Sequence, residues 1–298
     1  MTALYAQAHL DIDQEEFRRS FDREPFGFRH NLSELDIFEF DSLRDLAEKY
    51  RLHDYYVAST APSPGTRFYG LSKAKYKLPH EALDHLVSDP CRVLLKRPEK
   101  YDPRFRELLD ALFRQVIDLR GGLGGEKVAR LEGAILVTSA ATTTPFHFDP
   151  EIGFFSQIEG EKTYHVYSPR TLRETELEPF YTRGAVDIGQ VDLDSREPSH
   201  EYVFNLSPGK GLHQPQNAPH WVETCNSRSI SYTFVFETNA TRAQGRVRAF
   251  NHYQRKLKIA PALPGTYPAV DLVKAGTMRV VITGRKGFGK IIRMIRDR

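Results

Sequence analysis

Residues 144–169 read TPFHFDPEIGFFSQIEGEKTYHVYSP, and the reading of this stretch decides the fold. It divides into short runs rich in aromatic and β-branched residues, broken at Pro150, Gly160 and Pro169, which is the pattern of β-strands joined by tight turns. The same pattern recurs in GAILVTSA (133–140), EYVFNLS (201–207) and SISYTFVFET (229–238). A series of short strands of this kind predicts a sandwich or barrel. Successive side chains of a strand point to opposite faces, so His147 and Asp149 share one face while Phe146 and Phe148 share the other. One face offers two metal ligands and the other offers packing.

Upstream of this region, residues 1–130 read as a mostly helical segment, its helices joined by turns and short extended pieces, packing on the core. Asp41 or Ser42 can cap SLRDLAEKY, where Leu43, Leu46 and Ala47 recur at helical spacing. Pro79 opens a second helix through Leu86, and a third runs from Pro103 to Leu119 with Leu108, Leu109, Leu112 and Phe113 as its apolar stripe. GGLGG at 121–125 stops that helix. Residues 131–238 form the β core, interrupted by a charged insertion at 169–199 that is long enough to cover one mouth of a barrel. Residues 239–298 return to a helical pattern and end in a basic tail.

Composition narrows the class. With 298 residues and 40% hydrophobic content the chain can bury a substantial core. Arg279 to Arg298 carries a net +6 in a chain whose total is +3, so the rest sums to −3, and a mildly acidic body argues against a dedicated nucleic-acid-binding domain. No apolar run approaches the roughly 20 residues of a membrane span, and the first residues lack a secretory pattern, so a cytoplasmic protein is expected. Cys91 and Cys225, far apart and outside any CxxC spacing, predict free thiols.

A lone HxD is weak, because His and Asp both occur freely near strand ends. A third ligand comes from PGKGLHQPQNAPHWVET (208–224), which offers His213 and His220. His220 is preferred: PGKG starts a strand that reaches Pro219, and PHWVE brings His220 back across the barrel, whereas His213 faces a neighbouring strand or solvent. Two His and one carboxylate form a facial triad that leaves three cis positions on Fe(II) for a bidentate co-substrate and O₂. His30, His165 and His200 have no partner at metal spacing and read as structural or surface histidines.

These stretches, in this order and spacing, resemble the jumonji C cupin-like hydroxylases, and within them the asparaginyl hydroxylase branch, over roughly residues 142–238. The resemblance implies an α+β protein with a double-stranded β-helix (jelly-roll, cupin) core and N- and C-terminal helical elements. It implies Fe(II) held by His147, Asp149 and His220, with 2-oxoglutarate as co-substrate and O₂ as oxidant. Lys162 falls where the family pairs a lysine with the distal carboxylate of 2-oxoglutarate, and Thr144 falls where a threonine hydroxyl meets the same group. A buried dianion needs a cationic partner in any case. Gln157 reads equally as an orienting residue or a structural amide. Two positions depart from the branch: Gly153 and Val235 stand where it keeps asparagines near the co-substrate.

The C-terminal GRKGFGKI (284–291) fits G-x4-G-K, but Ile291 stands where a phosphate loop needs Ser or Thr for Mg²⁺, so no nucleotide role is expected of it. The segment instead predicts a strand and turn leading into a terminal helix, whose Ile291, Ile292 and Ile295 dock on the body or on a second subunit as a homodimer. The resulting expectation is an oxygenase acting on a protein side chain or a small molecule. The alternatives are a cupin metalloenzyme that does not use 2-oxoglutarate and a non-enzymatic binding module of the same fold.

Overall fold

A computed structural model describes residues 4–67, 71, 74–183 and 188–296; for Leu4, Ala6 and residues 285–296 it describes the backbone alone. It is an α+β chain with two antiparallel sheets. The strands are β1 (Leu10–Asp11), β2 (Phe26–His30), β3 (Tyr55–Ser59), β4 (Cys91–Lys96), β5 (Val128–Thr138), β6 (Thr143–His147), β7 (Ile152–Glu159), β8 (Lys162–Tyr167), β9 (Glu201–Leu206), β10 (Lys210–Gln214), β11 (His220–Thr224) and β12 (Ser229–Thr238). The larger sheet runs β1-β2-β10-β7-β12-β5-β4-β3 and the smaller β6-β11-β8-β9. The α-helices are α1 (Gln14–Ser20), α2 (Phe40–Glu48), α3 (Pro79–Asp84), α4 (Pro103–Arg120), α5 (Glu174–Tyr181), α6 (Asn239–Lys256) and α7 (Pro268–Arg296).

Alternation along β7 separates two apolar clusters. Ile152, Phe154 and Ile158 join the helix-side core with Phe105, Leu108, Leu109, Leu112 and Val116 of α4. Phe155 points the other way, into a second cluster with Tyr164, Val166, Leu212 and Val222, which fills the space between the sheets. The helix-side core is the larger; burying each Leu or Phe there stabilises the fold by about 1.5–3 kcal/mol relative to exposing it. α4 forms where Asp102 caps it by accepting from the Arg104 amide, Pro103 takes its first turn, and Gly121 ends it at φ 76. Gly160, φ +71, makes the β7–β8 turn, where any Cβ would collide with the Arg228 carbonyl.

Several expectations need correcting. The segment 1–130 does more than pack helices on the core: β1 to β4 complete the larger sheet, with β2 pairing β10 and β4 pairing β5. α2 starts at Phe40, so Asp41 and Ser42 lie inside it rather than capping it. The strand after PGKG ends at Gln214, not Pro219. The apolar run MRVVIT is not a strand but part of α7, which continues as helix to Arg296. Its buried Lys274, Ala275 and Met278 recur at helical spacing. Docking through Ile291, Ile292 and Ile295 concerns side chains outside the described residues.

The chain divides into two compact units, Met1–Gly125 with Arg130–Thr171 and Gln190–Phe236, and Glu126–Ala129 with Leu172–Gly189 and Glu237–Arg298. The first unit holds the sheets. In the second, α5 from the charged insertion packs with α6, and α6 with α7. Thr238 caps α6, Arg248 pairs with Glu174 at 3.1 Å, and Arg255 with the buried Glu178 at 2.9 Å. The first half of the insertion therefore belongs with the C-terminal helices, while residues 190–199 stay with the sheets. Both cysteines are free thiols. Among the described residues no helix is long and apolar enough to cross a membrane.

Candidate metal centre

His220 opens β11 directly opposite His147 at the end of β6, and the two rings lie 4.1 Å apart between centroids. Asp149, two residues beyond His147, reaches both: its carboxylate oxygens lie 3.9 Å from His147 Nε2 and 3.7 Å from His220 Nε2. One ligand atom from each of the three falls within 4.8 Å of the others. Each His Nδ1 faces a backbone carbonyl, of Pro145 at 2.7 Å and of Ala218 at 3.0 Å, so Nδ1 carries the proton and Nε2 turns its lone pair inward. Burial lowers both imidazole pKa values, that of His147 to about 3 with His220 adding to the effect, which leaves the neutral rings that ligate metals. Tyr164 stacks on His220 and donates to Gln214, whose amide donates to Asp149 at 3.3 Å. The donor set is that of a facial triad, and its geometry suits one divalent ion.

The structure places the other expected residues differently from one another. His213 lies on the helix side of β10, ringed by Phe21, Phe26 and Phe154; its Nδ1 faces the Gly153 carbonyl, and its Nε2 accepts from the Asp22 amide. It is a core histidine. Thr144 should oppose His147 by simple alternation, yet it pairs with Val222, two residues from His220 on the same face of β11. A β-bulge between the two pairs absorbs the odd residue and turns Thr144 to the inner face. Lys162 starts β8 on that same face, opposite Thr224. Its ammonium donates to Ser231 at 2.9 Å and lies 5.5 Å from the Phe155 ring. Burial, then the charge of Arg92, lower its pKa to about 7. Among the described residues no carboxylate pairs with it.

Gln157 is wholly buried and acts through others. Its carbonyl accepts from Ser231, and its amide nitrogen donates to Ser229 and to the Glu159 and Gly160 carbonyls, so it holds the hydroxyl that holds Lys162. Gly153 and Val235 are direct cross-strand partners. Both departures from the asparaginyl hydroxylase branch thus fall at one spot, and a Cβ on Gly153 would meet Gln214 and Val235 only at 3.7 Å, leaving room. Ser231, Tyr164, Gln214 and Arg92 were not singled out from the sequence. Alternation from Lys162 would have found Tyr164; nothing in the sequence marks the others.

Two antiparallel sheets hold the His–Asp–His group between them. In overall fold the chain resembles the ribosomal oxygenase YcfD of Escherichia coli. One X-ray structure of that protein matches with a TM-score of 0.53 over 93% of this chain and 69% of that one, at 17% identity. Its complex with cobalt and 2-oxoglutarate matches with a TM-score of 0.52 over 93% and 68%, at 18% identity. Among curated proteins, lysine-specific demethylase 8 of Xenopus tropicalis is 34% identical over 103 residues, which are 31% of this chain and 23% of that protein. The chain thus matches less than a quarter of that relative's length. No protein-family model matches the chain.

Proposed function

We propose that the chain is an Fe(II)- and 2-oxoglutarate-dependent oxygenase with a double-stranded β-helix (jelly-roll, cupin) core, hydroxylating a C–H bond of a protein side chain or small molecule. The observation that carries this reading is the buried Lys162, a cation with no carboxylate partner among the described residues, on the same inner face as His147, Asp149 and His220. A buried charge of that kind is costly unless a ligand anion meets it. The complex of YcfD with cobalt and 2-oxoglutarate adds support from a protein of similar fold.

His147, Asp149 and His220 would hold Fe(II). When bound, the metal with O₂ and 2-oxoglutarate supplies the oxidation: one oxygen atom goes to the substrate C–H as hydroxyl, the other to succinate, and CO₂ leaves. The remaining work is done by the chain. Lys162 balances the distal carboxylate and Thr144 adds a neutral hydrogen bond to it. Ser231 and Gln157 fix the direction of the Lys162 ammonium. Gln214 and Tyr164 hold the Asp149 carboxylate. Phe155, Val166, Leu212 and Val222 keep water from the interior.

Protein supplied with Fe(II), 2-oxoglutarate and O₂, without added substrate, is expected to form succinate slowly, and Asp149→Ala to form none. Iron-loaded wild type that neither binds 2-oxoglutarate nor makes succinate would pass the assignment to a cupin metalloenzyme of another kind. Leu272, Val273 and Val280 are all well exposed on α7 and support a homodimer through the C-terminal helices. Sedimentation is expected to give a dimer mass, reduced to the monomer in Val273→Glu/Val280→Glu. A monomeric wild type removes this part of the proposal.

A further inference from the structure

Lys162 is not the only basic residue of the inner space. Arg92, on β4, lies opposite Thr138 of β5, and opposed residues of antiparallel strands share a face. The neighbours Val93 and Val137 belong to the helix-side core, so Arg92 and Thr138 face inward. Thr138 Oγ1 lies 3.1 Å from Thr224 Oγ1, which also accepts from the Thr142 hydroxyl at 3.1 Å. Thr224 is in register with Lys162. Two basic side chains and three touching hydroxyls therefore line one end of the space between the sheets. Arg92 is 8% exposed, and its charge is felt at both Lys162 and His147.

Two cations brought together in a buried space repel, and an anion between them reverses the sign of the interaction. A planar guanidinium can also engage a carboxylate through two parallel hydrogen bonds, and it stays charged where a buried ammonium begins to lose its proton. We infer that Arg92 is the second anion-binding residue of the co-substrate pocket, and that its guanidinium and the Lys162 ammonium together receive the distal carboxylate of 2-oxoglutarate. This rests on the reading of the site as a 2-oxoglutarate site.

The experiment is calorimetric titration of two ligands into Mn(II)-loaded protein: 2-oxoglutarate, and 2-oxobutyrate, which keeps the 2-oxo acid end and lacks the distal carboxylate. Wild type is expected to prefer 2-oxoglutarate. Arg92→Gln is expected to lose roughly 10- to 100-fold of affinity for 2-oxoglutarate with 2-oxobutyrate and Mn(II) binding unchanged, and Arg92→Lys to lose less, about 10-fold. Should Arg92→Gln fail to fold, Arg92→Lys, which keeps the charge and most of the volume, decides the matter by the same ratio. Undiminished preference for 2-oxoglutarate in the folded variants overturns the role of Arg92 and leaves the 2-oxoglutarate reading standing. Wild type with no preference for 2-oxoglutarate overturns both.

Discussion

Protein carrying His147→Ala, Asp149→Ala or His220→Ala is expected to hold no Fe(II) at micromolar free metal, where the wild type is expected to hold one ion per chain. The reason is the small number of ligands. With three protein donors, deletion of one leaves a two-point site that competes poorly with water. Asp149 is the most sensitive, since its carboxylate reaches both imidazoles and supplies the negative charge of the set. His213→Ala is the internal control: iron should bind as in wild type, while stability falls by about 2–4 kcal/mol. That loss comes from the cavity among Phe21, Phe26 and Phe154 and from the Asp22 amide left without an acceptor. Metal stoichiometry by elemental analysis and urea unfolding separate the two effects. Full iron content in Asp149→Ala, or lost iron in a folded His213→Ala, would reverse the assignment of ligands.

Lys162→Ala is expected to weaken 2-oxoglutarate by roughly 30- to 1000-fold with iron binding intact, because a buried charge-assisted bond is lost and the ligand carboxylate is left unpaired. Thr144→Ala should cost about 1 kcal/mol, the worth of a neutral hydrogen bond. The same lysine sets a stability signature in the ligand-free protein. Its folded pKa of about 7 lies below its unfolded value, so between that pH and the ordinary lysine range the unfolded chain binds the extra proton. Stability from this group is then lowest below pH 7 and recovers as pH rises toward about 10. Lys162→Met, which keeps the stem and removes the charge, should be more stable than wild type at pH 7 by an amount on the order of a few kcal/mol, and the gap should close with rising pH. Thermal unfolding across pH follows this directly. Equal stability of the two proteins at every pH would show that Lys162 is not held at the cost the burial implies.

The grouping of His147, Asp149 and His220 was legible in the sequence because it depends on local rules. Period-two alternation puts His147 and Asp149 together, and the second reversal, between Gln214 and His220 rather than beyond Pro219, starts β11 at His220. The inner orientation of Thr144 was not derivable that way, since three residues separate it from His147 and only a bulge, visible in the pairing with β11, brings both to one face. The short extended pieces of the N-terminal region were legible, but not the place of β1 and β2 in the sheet, because they are short and β2 joins it through β10, far along the chain. At the C-terminus the β-branched run MRVVIT reads as a strand by propensity, whereas the buried Lys274, Ala275 and Met278 fix it as a helix face. Arg92 carries no sequence signal, because its meaning lies in what β5, β11 and β8 bring near it.

The claim that the triad and Lys162 form one site for a metal-chelating dianion is tested most directly by titrating 2-oxoglutarate, without oxygen, into metal-free and Fe(II)-loaded wild type. The expected result is saturable binding of one 2-oxoglutarate per chain that is strongly tightened by Fe(II) and lost from Asp149→Ala. Iron-loaded protein whose affinity for 2-oxoglutarate equals that of the metal-free form would contradict it.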